Sequence, residues 1–241
     1  MQIPVLALLI VLSLSCGAAQ ADVVPAPQVL VSQSFDAQVP GDVPDGWRKL
    51  WGDSGDDLLV VSNVFAVSGK NSLLFDRVSG TNTAQWGFGR PFSDIASGWC
   101  VVSFSFLVEG AGNDTAIGIE VRDSGGGNSR SSIAGIGRLK VIVNSPDYSH
   151  DTLIGAYSPG VWQRLTLWAP TREGKQTETC ALLEALDGAG KWHQVGNPVT
   201  VPSKPFDKPY GFFQVNAAPN KRGFRLYVDD LSVERREGNH P

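Results

Sequence analysis

The sequence predicts an all-β fold, two antiparallel sheets packed as a sandwich, and three observations predict it. In residues 101–108 (VVSFSFLV), Val102, Phe104, Phe106 and Val108 fall on one face and Ser103 and Ser105 on the other, the period of two that marks a half-buried strand. Short apolar segments recur roughly every ten residues between turn formers, in a chain with 27 Gly and 15 Pro among 241 residues. Strands do not alternate with helical patterns, which argues against a parallel α/β sheet, and no internal repeat is present.

Residues 1–21 stand apart from this pattern. An apolar run at residues 3–14 without charge ends at Ala19-Gln20-Ala21, the small-residue boundary of a cleavable export signal. The run is shorter than the roughly 20 residues that a membrane-spanning helix needs, and nothing comparable follows. The first residues lack the usual Lys or Arg, and residues 12–16 (LSLSC) resemble a lipoprotein cleavage site with Ser13 where Leu is usual, so anchoring through Cys16 is the alternative to secretion.

Residues 22–29 (DVVPAPQV) read as an extended tether, and the sandwich is expected over 30–235, with a polar, disordered tail at 236–241. Residues 31–35 alternate as a first strand, and 39–47 (VPGDVPDGW) form a long ordered loop. Short strands follow at 58–61, 64–67 and 72–75, as a meander. Ile117, Ile119 and Val121 alternate with Gly118, Glu120 and Arg122 before a glycine-rich turn at 123–128 (DSGGGN). That turn lacks the following helix and Lys of a phosphate cradle. Further strands are expected at 139–143, 162–168, 180–186, 192–195, 210–215 and 224–233; only 182–186 reads equally well as helix.

A net charge of −4 with both signs interspersed leaves no basic footprint for nucleic acid or anionic lipid. Cys100 and Cys180 are an even pair in a chain bound for an oxidising compartment, which predicts a disulfide. Closing a loop of about 80 residues, it would stabilise the fold by roughly 4–5 kcal/mol on the chain-entropy model. The alternative is two separately buried thiols.

Several pieces in order, SFDAQVPGDVPDGW, GKNSLLF, VVSFSFLV, PGVWQRLTLW and LYVDDLSV, resemble the concanavalin A-like lectin/glucanase superfamily, the laminin-G-type jelly rolls, over most of the chain after the export segment. The resemblance is one of layout. It implies a two-sheet jelly roll with a concave face that commonly holds sugars against aromatic rings. The superfamily's glucanases carry an E-x-D-x-x-E strand; the nearest strings here, residues 120–123 (EVRD) and 184–187 (EALD), lack its second Glu, and the Arg-rich and Gln-x-His strands of the alginate lyases have no counterpart.

Seven Trp are a heavy load, and an indole offers an apolar face to sugar C–H groups with an N–H donor beside it. Trp47, Trp51 and Trp86, in or beside turn-rich segments, are the candidate platforms; the alternative is that they plug the ends of the sandwich. Asp36, Asp229 and Asp230 resemble the carboxylates that close a structural Ca²⁺ site in jelly-roll carbohydrate modules, where hard oxygen ligands suit the ion. Otherwise Asp229 faces solvent and Asp230 caps a bend. For catalysis, Tyr148 and His150 in the loop SPDYSHD, with Arg164 to neutralise a uronate, form the one acid–base set that β-elimination would accept, and no nucleophile elbow is present. The sequence therefore predicts a secreted, non-catalytic domain that binds a polysaccharide or glycoconjugate, or a cell-surface accessory domain. A jelly-roll lyase or glycoside hydrolase, or a structural sandwich, are the alternatives.

Overall fold

The computed structural model describes residues 25–51, 58–77, 86–110, 116–123, 130–137, 140–144, 151–174, 177–202, 209–217 and 223–238. Every regular element among them is a β-strand, and all pairings are antiparallel. The first sheet is built around β6 (Trp99–Gly110), whose neighbours are β11 (Gln163–Pro170) and β16 (Phe224–Arg236). Outside β11 lie β12 (Glu178–Leu186), then β13 (Trp192–Gln194) and β14 (Val199–Pro202), which both pair with β12. Outside β16 lie β4 (Ser72–Asp76), β3 (Leu58–Ser62) and, on its later half, β1 (Gln28–Gln33).

The second sheet runs in the order β10 (Asp151–Ala156), β9 (Lys140–Asn144), β8 (Arg130–Gly137), β7 (Ala116–Asp123), β15 (Tyr210–Ala217), β5 (Trp86–Ile95) and β2 (Arg48–Trp51). Neighbours in this order that are distant in sequence make the fold a wound sandwich rather than a chain of hairpins: β15 sits between β5 and β7 and comes nearly 90 residues after β7.

The core lies between the sheets, where the alternation places it. Val102, Phe104, Phe106 and Val108 of β6 are buried against Ile117, Ile119 and Val121 of β7 and Phe213 and Val215 of β15. Phe104 meets Phe213 across the sheets at 6.0 Å between ring centroids. Each such side chain contributes roughly 1.5–3 kcal/mol by leaving water.

Several expectations change. Residues 182–186 belong to β12, so the helical option falls away. Residues 64–67 form no strand, because the N–H groups of Val67 and Ser68 donate to the Asp229 carboxylate instead of to a neighbouring strand. β1 begins at Gln28 and β16 runs to Arg236, so pairing reaches into both the expected tether and the expected tail. The disulfide is absent: Cys100 and Cys180 are both free and buried. Cys100 lies opposite Ala169 of β11 and Cys180 opposite Trp168, so β11 separates them. Two strand spacings put their Cα atoms about 9–10 Å apart, beyond the roughly 7 Å that a bridge spans. Cys100 also points into the core, whereas Cys180 packs with Trp99, Val101 and Trp168 on the other face of the sheet.

The expected export segment at 1–21 and the candidate residues Tyr148 and His150 all lie outside the described residues. No helix among the described residues is long and apolar enough to cross a membrane.

Candidate functional site

The face of the second sheet turned away from the core carries a polar network at its centre. Because Ile119, Val121, Phe213 and Val215 point inward, their alternates Gly118, Glu120 and Arg122 on β7 and Phe212, Gln214 and Asn216 on β15 occupy the opposite face. Register then places Gln214 opposite Glu120, Asn216 opposite Gly118 and Phe212 opposite Arg122.

Glu120 Oε2 lies 3.0 Å from Arg122 Nε, and the Asn216 amide donates to Glu120 Oε1 at 2.6 Å. Arg122 Nη1 donates to Gln214 Oε1 at 2.8 Å. All four side chains are 7% exposed or less. An ion pair this deep persists because each charge has a partner and amides take up further lone pairs and protons. Arginine only donates, so it fixes which end of the Gln214 amide faces it. That leaves Gln214 Nε2, a buried donor, without a hydrogen-bond partner among the described residues.

Glycines open the space around the network. One row across the strands reads Trp51, Gly87, Asn216, Gly118, Gly135, Ile142, Leu153, spanning β2, β5, β15, β7, β8, β9 and β10. A Cβ on Gly118 would come within 2.6 Å of Asn216 Oδ1, so the Asn216 amide lies over the bare backbone there. In the adjoining row Gly89 lies opposite Gln214, and its Cβ would strike the Phe212 ring at 2.1 Å. Arg48, exposed on β2, holds its guanidinium 5.4 Å from the centre of that ring.

The residues singled out in the sequence are scattered. Trp47 is no platform: it is 6% exposed, its Nε1–H donates to Gln33 Oε1 at 3.0 Å, and its ring meets Phe213 edge-on. The backbones of Trp51 and Trp86 pair with Gly87 and Ala217, at the edge and end of the second sheet; their side chains lie outside the described part. Arg164 belongs to the other sheet, where it pairs with Glu184 at 2.7 Å and covers the Trp192 ring at 4.6 Å, so its charge is engaged far from the network.

Asp36, Asp229 and Asp230 do gather around one loop, residues 63–71, but as acceptors of amide and hydroxyl protons. Asp36 Oδ1 takes the N–H of Lys70 and Asn71, which holds its carboxyl below the usual range. Asp229, fully buried, takes the N–H groups of Val67, Ser68 and Asp230, yet burial still pushes its carboxyl up to about 6. Asp230 accepts from the Ser68 hydroxyl at 2.5 Å. Amide hydrogens directed at these oxygens do not fit a Ca²⁺ ion shared between them, and no group of three or more metal-ligating side chains comes together among the described residues.

The network itself escaped the sequence reading. Glu120 appeared only as a solvent-side alternate of Ile119 and Val121 and as part of a failed glucanase string, because Glu-x-Arg and Gln-x-Asn on separate strands look like ordinary solvent-side residues. The nearby glycines, Gly87, Gly89 and Gly118, were the available signal that something leans across the face.

No family model matches the chain, and no curated protein does. Solved structures do. The catalytic domain of a glycoside hydrolase family 131 protein from Coprinopsis cinerea superposes with a TM-score of 0.56 at 10% identity, over 89% of this chain and 95% of that one. The lectin UEA-II complexed with galactose gives 0.53 at 11% identity, over 86% and 99%. The marine PL-14 alginate lyase from Aplysia kurodai gives 0.51 at 13%, over 86% and 98%. At such identities the likeness is one of fold, and the chain folds as a concanavalin A-like two-sheet jelly roll.

Proposed function

We propose that this chain is a non-catalytic glycan-recognition domain that holds a polysaccharide on the outward face of its second sheet. The observation that carries the reading is the buried Glu120–Arg122–Gln214–Asn216 network, which places charged and amide groups at the centre of a sheet face where folding alone needs none. Buried polar groups that converge beside an unpartnered donor are the ordinary makings of a ligand site. Amides match sugar hydroxyls because both donate and accept. The shared fold of a galactose-complexed lectin, a glycoside hydrolase and an alginate lyase supports a glycan as the ligand class.

Recognition rather than cleavage is favoured by the acids. Glycoside hydrolysis uses two carboxyl groups roughly 5–10 Å apart, and among the outward residues of β7 and β15 that form the network, Glu120 is the one carboxylate. We further take the chain to be exported, on the strength of the Ala19-Gln20-Ala21 boundary.

A glycan array followed by calorimetric titration tests the reading. Saturable binding to at least one polysaccharide, lost in Asn216→Ala, is the expected result. No binding to any plant, algal or microbial glycan would sink it, and release of reducing ends or unsaturated sugar would replace recognition with catalysis.

A further inference from the structure

We infer that the outward face of the second sheet selects an uncharged polysaccharide and turns away polyuronates, and that Glu120 sets this preference. The inference rests on the recognition reading above and names the ligand class of the same site.

A sugar carboxylate is held by a cation with donors to spare, best by a guanidinium fork that meets both oxygens. Arg122 is the cation at the centre of the face, and it already faces two partners: Nε lies 3.0 Å from Glu120 Oε2, an ion-pair contact not aligned as a hydrogen bond, and Nη1 donates to Gln214 at 2.8 Å. Its charge is cancelled at contact distance by a carboxylate that is itself buried. A uronate laid alongside would bring a second negative charge next to Glu120 where little water screens it, an arrangement that disfavours both ionised groups. Arg48, a further cation on this face, is exposed beside the Phe212 ring, where salt screens its reach.

What the face offers is neutral. Among the described residues the buried donor Gln214 Nε2 has no hydrogen-bond partner. Asn216 turns its N–H toward Glu120 and so keeps its Oδ1 as an acceptor over Gly118. A donor and an acceptor at the ends of neighbouring amides suit a hydroxyl, which does both, and serve a carboxylate poorly.

The test titrates the full chain with polymers that differ in charge alone: polygalacturonate and alginate, each against its carboxyl-reduced form, beside neutral β-glucan, xylan and mannan oligosaccharides. The expected result is that the best neutral ligand binds at least tenfold more tightly than any polyuronate, with little change between low and moderate salt. A polyuronate bound as tightly as the best neutral ligand overturns the inference while leaving recognition intact. Binding of nothing overturns both.

The variant Glu120→Gln frees the Arg122 charge. It should move the ratio of polyuronate to neutral affinity upward by tenfold or more, and a folded variant that keeps the wild-type ratio removes Glu120 from the explanation. Losing one partner of a buried pair endangers folding, so circular dichroism and melting come first. The wild-type titrations decide the ligand class whether or not the variant folds.

Discussion

Gln33 Oε1 receives two donors, Trp47 Nε1 at 3.0 Å and Arg90 Nη1 at 2.8 Å, and Arg90 also donates to the Asp45 carbonyl at 2.7 Å. A side chain from β1 in the first sheet is thus tied to one from β5 in the second, and the loop at 39–47 is closed over the join. Trp47 fills the end of the core, so Trp47→Ala should cost about 3–5 kcal/mol in urea denaturation and leave the affinity of the folded protein for its glycan unchanged. A folded variant with lost binding would make Trp47 a platform after all. The cysteines give a second prediction at this scale. Burial pushes both thiols up, Cys100 furthest, so neither should be alkylated at an appreciable rate in the folded protein. Both should be alkylated completely in denaturant without reductant, and reductant should not shift the melting midpoint; mass spectrometry and calorimetry read these directly. The pairing inferred from cysteine number failed because number says nothing about which strand lies between two residues or which way each points.

Along β16 the edge partner changes from β4 to β1, and the register slips between Asp229 and Ser232 with Asp230 at a φ of 49°. Such a bulge leaves backbone donors of the flanking segments without a strand to pair with, and Asp229 and Asp36 take those of residues 67–71. This explains why two of the three aspartates that look like metal ligands in sequence, Asp36 and Asp229, serve as backbone acceptors in the fold. It also gives a pH signature. Burial raises the Asp229 carboxyl from 3.8 to about 6, so between those values the folded chain holds a proton that the unfolded chain has released. The contribution of this group is fully present below about pH 4 and declines as pH rises through 6, by an amount of the order of 2–3 kcal/mol. Asp36, lowered by its amide donors, acts in the opposite sense, losing its contribution as pH falls. Comparing wild type with Asp229→Asn in denaturant titrations from pH 4 to 7, the variant should lack the decline. Equal slopes in the two proteins would show that Asp229 is ionised throughout. The strands themselves were legible wherever one face is aliphatic, as in β6, β7 and β11, since alternation reports burial directly. The loop at 63–71 was not, because Val64, Phe65 and Val67 have strand composition and their fate is decided by carboxylates far away in sequence.

For the molecule as a whole, what matters is which of the two outward faces carries function. The jelly-roll class could be read from the order of strands and turns, but the site could not, because it forms only when β15 inserts between β5 and β7, and no local pattern specifies that insertion. Both outward faces hold an arginine–glutamate pair: Arg164 with Glu184 and Trp192 on the first sheet, Arg122 with Glu120 and the two amides on the second. They differ in burial. The Arg164 and Glu184 side chains are 35% and 19% exposed, against 4% and 3% for Arg122 and Glu120. A pair in contact with water contributes at most about 1 kcal/mol and orders little around it, whereas the buried pair fixes the orientation of every group it touches. Function placed on the second sheet therefore predicts an asymmetry. The double variant Arg164→Gln, Trp192→Ala should keep glycan affinity within about twofold of wild type. Gly118→Ala, whose new methyl would displace the Asn216 amide, should lower affinity tenfold or more, a loss of about 1.4 kcal/mol, with a much smaller change in melting midpoint than Trp47→Ala, since the atoms it meets belong to a single side chain. If instead the first-sheet variant abolished binding and Gly118→Ala did not, the network on β7 and β15 would be a structural element and the groove would lie across Trp192.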